Sequence, residues 1–249
     1  MIRHEVREEP PLPPELEPTV IHLDDALVAV AKPAGLSVHA NRRTIHRHLI
    51  GWLRERIGPE VALAHRIDRE TSGVVLSTRS TDAARALARD FARGRVHKEY
   101  LAVVVGVPDE DVTVDSPIGH DAGSHIHVKQ AANGEGGVPA RTRFRRERIL
   151  AGGGHSLVRA FPETGRRHQI RVHLAAIGHP IVGDKLYAHG DAFFLNYINR
   201  GMDDAMRDRL GAERHLLHAA VLELCHPSLG TALRLEAPLP PDFRAWCEA

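Results

Sequence analysis

The apolar positions of the chain fall into two kinds of pattern. Short continuous runs at 20–23 and 26–31 flank Asp24-Asp25, which reads as strand, tight turn, strand, and Lys32-Pro33-Ala34-Gly35 ends the second run. Ile45, Leu49, Leu53 and Ile57 recur every four residues, a helical stripe stopped by Gly58-Pro59. A strand over 73–77 and a helix over 82–93, stopped by Gly94, come next. Residues 96–105 are continuously β-favouring and predict a long strand. The glycine-rich stretch 121–137 has little periodicity and reads as a surface excursion. Strands return at 142–147 and 156–161, separated by a turn at Gly152-Gly153-Gly154. Ile170, Leu174 and Ile177 then mark a short helix ending at Gly178. The last strands, 216–224 and 232–237, are joined by a turn at His226-Pro227-Ser228-Leu229-Gly230. No repeat is visible. Regular βα alternation is absent, which favours an α+β architecture with a mixed, mainly antiparallel sheet over a doubly wound one.

Composition narrows the class. In 249 residues, 43% are hydrophobic and 26% charged, close to globular averages, which excludes a largely disordered chain. The proline-rich residues 1–18 are the exception: they read as a flexible lead-in, with the domain covering 19–249. With Lys+Arg 33 against Asp+Glu 32 the net charge is +1, so any affinity for phosphate must come from local clustering. Two cysteines support no disulfide framework, and no apolar stretch is long enough to span a membrane, so a cytoplasmic setting is expected. The chain has 18 histidines, but His46 and His48 sit two apart on the predicted helix and so point apart. His125 and His127 lack a carboxylate or thiolate partner, and no metal site is predicted. Neither phosphate-cradling glycine fingerprint occurs, and no nucleotide cofactor is indicated.

Three segments concentrate chemistry. His65-Arg66-Ile67-Asp68-Arg69-Glu70 precedes a small-residue turn, Thr71-Ser72-Gly73, that should fix the loop; an aspartate between arginines stays ionised and suits a nucleophile or charge stabiliser. Thr164 to His173 enters the short helix, where His168 and Arg171 share a face and the helix start offers N–H donors to an anion. In the long strand, alternation puts Lys98 and Tyr100 on one face and Glu99 on the other.

Together with 28–39, Lys98-Glu99-Tyr100-Leu101-Ala102-Val103-Val104 and Gly178-His179-Pro180-Ile181-Val182-Gly183-Asp184, these segments stand in the order found in RluA-type RNA pseudouridine synthases, which the chain resembles from about Ile21 to Phe243. Ile67 stands where Leu is usual, and Arg167 where a smaller residue is common. The resemblance implies a pseudouridine synthase fold with a catalytic cleft, no preceding S4-like domain, and no metal or cofactor. It implies isomerisation of a uridine in structured ribosomal or transfer RNA: the N1–C1′ bond is cut, the uracil turns, and a C5–C1′ bond forms.

The resemblance also implies roles. Asp68 would be the catalytic nucleophile, Arg171 its partner, and Tyr100 the ring stacked on the uracil, assisting proton removal from C5. Arg66 would fill the gap left by the flipped uridine, and Lys32, Arg166 and Arg167, with His168, would contact the RNA. A monomer with RNA as its partner is expected. Two other readings are weighed: an RNA-binding module of the same fold without catalysis, and an unrelated hydrolase using Asp68 with His65 or His168. Intact Asp68, Tyr100 and Arg171 count against the first, and the lack of a nucleophilic Ser or Cys motif or of a paired carboxylate counts against the second.

Overall fold

The computed structural model describes residues 12–40 and 48–248. The apolar runs become strands: β1 (Thr19–Leu23), β2 (Leu27–Lys32), then after α1 (Leu49–Arg56) the short β3 (Ala62–Leu63) and β4 (Ser72–Thr78). Helix α2 (Thr81–Ala92) leads to the long β5 (His97–Val105) and to β6 (Asp111–Asp115). The small strands β7 (Ile118–His120), β8 (Gln130–Ala132) and β9 (Glu135–Val138) follow, then β10 (Arg141–Ile149) and β11 (His155–Pro162). Helices α3 (Gln169–Ala176), α4 (Asp191–Arg200) and α5 (Asp204–Leu210) precede β12 (Leu217–Cys225), β13 (Ala232–Glu236) and α6 (Pro241–Glu248).

Among the described residues ten strands form one sheet in the order β1-β2-β4-β12-β5-β11-β10-β6, with β13 added on β12 and β3 on β4. The parallel pairing in it is β4 with β12, where Ser72 lies opposite His218 and Gly73 opposite Ala219; the other strand pairs are antiparallel. The fold is α+β, as the irregular mixture of elements predicts. β4 is buried at every position, as a central strand covered on both faces must be. Gly73 has φ +113° and a Cβ there would meet the Ala219 carbonyl oxygen at 2.1 Å, so only glycine allows this close approach.

One core cluster packs α2, through Ala83 and Leu87, on β2, β4, β12 and β13, and two others form the halves on either side of the cleft at the sheet's middle. One half packs α1, through Leu49 and Leu53, on β2 and β4 together with Ile67; the other packs α3, through Ile170 and Leu174, on β5, β11 and β12 with Phe243 of α6. Tyr100 of β5 touches both. The cleft between the halves therefore receives the loop before β4, the middle of β5 and the start of α3.

Several expectations change in the structure. Helix α1 begins at Leu49, because His48 caps it: its Nδ1 accepts the Gly51 N–H at 3.0 Å. Ile45 and His46 lie outside the described residues. Residues 12–18, within the segment expected to be a free lead-in, dock instead: a 3-10 turn at Pro14–Leu16 lays Leu16 beside Gly35, Leu12 packs on the α1 half of the core, and Glu17 pairs with Arg56 at 3.1 Å. The excursion 121–137 contains β8 and most of β9, which flank β7 in a separate sheet. Its loop is tied to α4 by the Lys129–Asp191 ion pair at 2.6 Å, and His125 and His127 stand in turns rather than on a strand.

Candidate active site

The loop carrying Asp68 is stitched down on both sides. The Thr71 N–H donates to the Asp68 carbonyl at 3.2 Å, so the tight turn is 68–71 and Ser72-Gly73 already belong to β4, which begins one residue earlier than the sequence suggests. The Thr71 hydroxyl meets His215 Nε2 at 2.9 Å and Ser72 Oγ meets His218 Nδ1 at 2.9 Å. From below, the Lys32 ammonium donates to the carbonyls of Pro33 (2.7 Å), Leu36 (2.9 Å) and Arg69 (3.1 Å). Lys32 is 1% exposed, and burial, then Arg214, brings it down to about 7. This corrects its assignment as a phosphate contact: all three of its donors are spent on backbone inside the protein.

Arg171 projects from α3 and is buried. Its Nη1 donates to Asp68 Oδ2 at 2.8 Å, while Nε and Nη2 donate to Asp184 Oδ2 (2.7 Å) and Oδ1 (2.9 Å). The expected Asp68–Arg171 pairing is present, but half of what fixes it lies in a residue given no role from the sequence. Asp184 is fully buried; its Oδ1 also accepts the N–H groups of Leu186 (3.0 Å) and Tyr187 (3.1 Å), and Arg171 with these donors overcomes burial to hold it at about 2. The preceding Gly183 has φ +79°, and a Cβ there would lie 1.9 Å from the Arg214 carbonyl oxygen, so glycine is what lets this turn sit under the site.

Burial alone would raise the Asp68 carboxyl, but Arg171, His168 and Arg66 outweigh it and hold Asp68 below its ordinary value. His168 is the left-handed residue that caps α3 (φ 55°), so it precedes the helix rather than riding on it with Arg171. Its Nδ1 lies 2.8 Å from the Tyr187 hydroxyl, which accepts the Gln130 N–H at 3.1 Å; with Tyr187 donating to Nδ1, the Nε2–H turns toward Asp68 Oδ2, 3.9 Å away. Burial and Arg171 bring His168 down to about 4, so it is neutral at pH 7. It is a wall of the site, not a surface phosphate contact.

Asp68, Arg171, Tyr100 and Lys98 line one cavity of about 450 Å³. The strand alternation thus places Lys98 and Tyr100 as expected, whereas Glu99 turns away to Arg159 at 2.7 Å. Burial, then the charge of Asp68, pushes the Tyr100 phenol well above its ordinary value, so its hydroxyl keeps its proton. Lys98, lowered by burial, donates to the Thr164 carbonyl at 2.9 Å. Arg66 and Arg166 are exposed at the cavity rim, Arg166 donating to the Pro139 carbonyl at 3.0 Å, and exposed Arg167 lies on the far side of His168. His65 accepts the Leu76 N–H on Nε2 at 3.0 Å and burial brings it down to about 4. It holds the wall of the cavity and makes no pair with Asp68, which removes the geometry a His65-assisted hydrolase needs.

Among the described residues one metal-compatible cluster exists, His22, Asp24 and His226, away from this cleft. His226 Nδ1 accepts the N–H groups of Ser228 (3.2 Å) and Leu229 (3.1 Å), so its proton sits on Nε2 and points at Asp24 Oδ2, 3.0 Å away. A ligating His226 would have to lose that Nε2 proton while Nδ1 already accepts two N–H groups, and the cluster is a hydrogen-bonded clasp between two turns.

The family described as RNA pseudouridylate synthase matches residues 26–176. The chain is 36% identical over 237 residues to ribosomal large subunit pseudouridine synthase D of Nitrosomonas europaea, covering 92% of this chain and 64% of that one. It is 38% identical over 231 residues to tRNA pseudouridine synthase C of Yersinia pestis, covering 88% and 85%. Among solved structures, human RNA pseudouridylate synthase domain containing 1 superposes with a TM-score of 0.71 at 26% identity, over 96% of this chain and 90% of that one. The motifs and the fold converge with these matches: the chain belongs to the RNA pseudouridylate synthase family.

Proposed function

We propose that the chain isomerises uridine to pseudouridine within structured RNA, and that Asp68 is its catalytic nucleophile. The observation that carries this reading is the Asp68 carboxylate, kept ionised by Arg171 at 2.8 Å, on the wall of a cavity that also presents the Tyr100 ring. Asp68 initiates cleavage of the N1–C1′ bond; the freed uracil turns in the cavity, C5 bonds to C1′, the C5 proton is lost and N1 gains one, so substrate and product are isomers and no cofactor is consumed. Tyr100 stacks on the base. Its hydroxyl, protonated, takes part in C5 proton removal as a relay that accepts that proton at oxygen while passing its own to solvent.

A uridine reaches this cavity only when unstacked, and Arg66 at the rim is placed to occupy the vacated space. Arg166 and Arg167 meet phosphates, giving a positive groove on a near-neutral protein. The relatives' names divide between ribosomal and transfer RNA, and either is a substrate class for this chain. Residues 19–249 act as the catalytic domain, as a monomer in the cytoplasm; among the described residues no helix is long and apolar enough to cross a membrane.

The test is to incubate the protein with bulk ribosomal and transfer RNA and quantify pseudouridine. Wild type should raise it, and Asp68→Ala should lower the rate by about a thousandfold or more while RNA is still bound. Retained turnover in Asp68→Ala would remove the assignment; RNA binding with no pseudouridine from wild type would favour a binding module.

A further inference from the structure

Among the described residues only His168 and Asn133 combine a side chain with a positive φ. His168 holds that conformation (φ 55°, ψ 17°) at the N-cap of α3, yet its side chain caps no helix N–H. The usual benefit of a polar N-cap is given up and the backbone is strained as well. The imidazole is turned instead between Tyr187 and Asp68.

Tyr187 touches each group that addresses Asp68. Its hydroxyl lies 2.8 Å from His168 Nδ1, and the Arg171 guanidinium stands over its ring, 5.0 Å from the centroid. Its backbone N–H donates to Asp184 Oδ1 at 3.1 Å, on the carboxylate that grips the rest of Arg171. The second sheet seats Tyr187 in turn: the Gln130 N–H of β8 donates to its hydroxyl oxygen at 3.1 Å, and its side chain packs on Ile118, Ala140 and Val172. With Gln130 donating to the oxygen, the phenolic proton goes to Nδ1. A neutral imidazole carries one N–H, which is then on Nε2.

The two oxygens of Asp68 are not equivalent. Oδ2 accepts Arg171 Nη1 at 2.8 Å and faces His168 Nε2 at 3.9 Å, whereas Oδ1 accepts no hydrogen bond among the described residues. In the opposite tautomer the Nε2 lone pair would face the carboxylate and repel it. Resting on the function proposed above, we propose that Tyr187 and His168 are positioning residues for Asp68: Tyr187 fixes the Nε2–H tautomer of His168, that N–H and Arg171 together hold Oδ2, and Oδ1 is the oxygen presented to the ribose of the target uridine. The 3.9 Å separation closes to a hydrogen bond once bound RNA expels water from the cavity.

The test measures steady-state pseudouridine formation on ribosomal and transfer RNA by the full chain, with a denaturant midpoint for every variant. Asparagine places its amide where Nδ1 lies and glutamine where Nε2 lies, and asparagine also suits left-handed backbone better. His168→Asn therefore keeps the link to Tyr187 and the turn but loses the donor to Asp68, while His168→Gln restores that donor at the turn's expense. Expected is a kcat about a hundredfold lower for His168→Asn and only about tenfold lower for His168→Gln, with KM within about twofold in both. A capping or packing role gives the opposite order, so His168→Asn equal to or better than His168→Gln would overturn the inference. A raised KM with unchanged kcat would also overturn it, by making His168 an RNA contact. Tyr187→Phe keeps the ring under Arg171 and releases the tautomer, and should lower kcat about tenfold in a folded protein; wild-type kcat there would remove Tyr187 from the role. No pseudouridine from wild type would strike the proposed function and this inference with it, whereas an active wild type with the order reversed strikes the inference alone.

Discussion

Asp184 grips Arg171 by two parallel hydrogen bonds, at 2.7 and 2.9 Å, and thereby leaves only one edge of the guanidinium for Asp68. Three of the five guanidinium N–H groups are thus used, with a buried carboxylate fixing the angle at which the cation meets Asp68. Arg171→Lys keeps the charge but replaces the fork by a point, and should lower kcat by about a hundredfold. Asp184→Asn, which retains shape, should lower kcat with little change in KM and destabilise the fold by about 3 kcal/mol, since one partner of a buried pair is removed. Kinetics with denaturant unfolding check both; wild-type kcat in Asp184→Asn would show that Arg171 is held by packing alone.

Tyr100→Phe preserves the ring between the two halves of the core and deletes the hydroxyl. RNA affinity should stay within about twofold while turnover falls about a hundredfold, the usual scale for losing a positioned proton-transfer group. Equal turnover would restrict Tyr100 to stacking.

The salt response separates two kinds of basic residue. RNA affinity should fall steeply with salt despite the net charge of +1. Arg66→Ala or Arg167→Ala should each reduce the slope of log affinity against log salt by about 0.7 to 0.9 for every phosphate that the missing guanidinium would have neutralised. Lys32→Met should leave that slope unchanged and instead cost about 2 kcal/mol or more of stability, because three backbone carbonyls lose a charged donor. A Lys32 variant with normal stability and a reduced slope would reverse the assignment.

Acid sensitivity follows from the buried histidines. His65, His168 and His218 are each brought down to about 4, burial being the largest cause, and His215 well below its ordinary value. Between about pH 4 and the ordinary value near 6.5 the unfolded chain therefore binds more protons than the folded one, so stability rises with pH across that window, is complete above it, and is lost on acidification. Each such group contributes up to about 1.4 kcal/mol per pH unit there. The denaturant midpoint should drop clearly from pH 7 to pH 5; a flat midpoint would mean that these imidazoles are not neutralised by folding.

The sequence exposed the strands β2, β4 and β5 because each is a run of apolar residues long enough to cross a core, and it exposed Asp68 because five ionisable groups crowd before one of those runs. It did not expose Lys32 as buried, since a lysine between an apolar run and Pro33-Ala34-Gly35 has the pattern of an exposed strand end. Only the fold shows three carbonyls converging on its ammonium. Asp184 was equally hidden: an aspartate after Gly183 belongs to no periodic stripe, and its partner is 13 residues away in sequence on a helix. Helix α4 buries only Phe193, so its apolar residues form no clean inward stripe.

The parallel seam between β4 and β12 has a consequence for how the enzyme comes into being. Ser72 and His218 are separated by 146 residues, so the strand that completes the seam leaves the ribosome long after the one it joins. Closing so long a loop is slow and carries an entropic cost that local contacts cannot offset beforehand. Asp68 is synthesised well ahead of His215 and His218, the side chains that pin its loop. Nascent chains, and chains truncated before β12, should hold Asp68 on an unpinned loop, and competence to modify RNA should switch on only once β12 has emerged and paired.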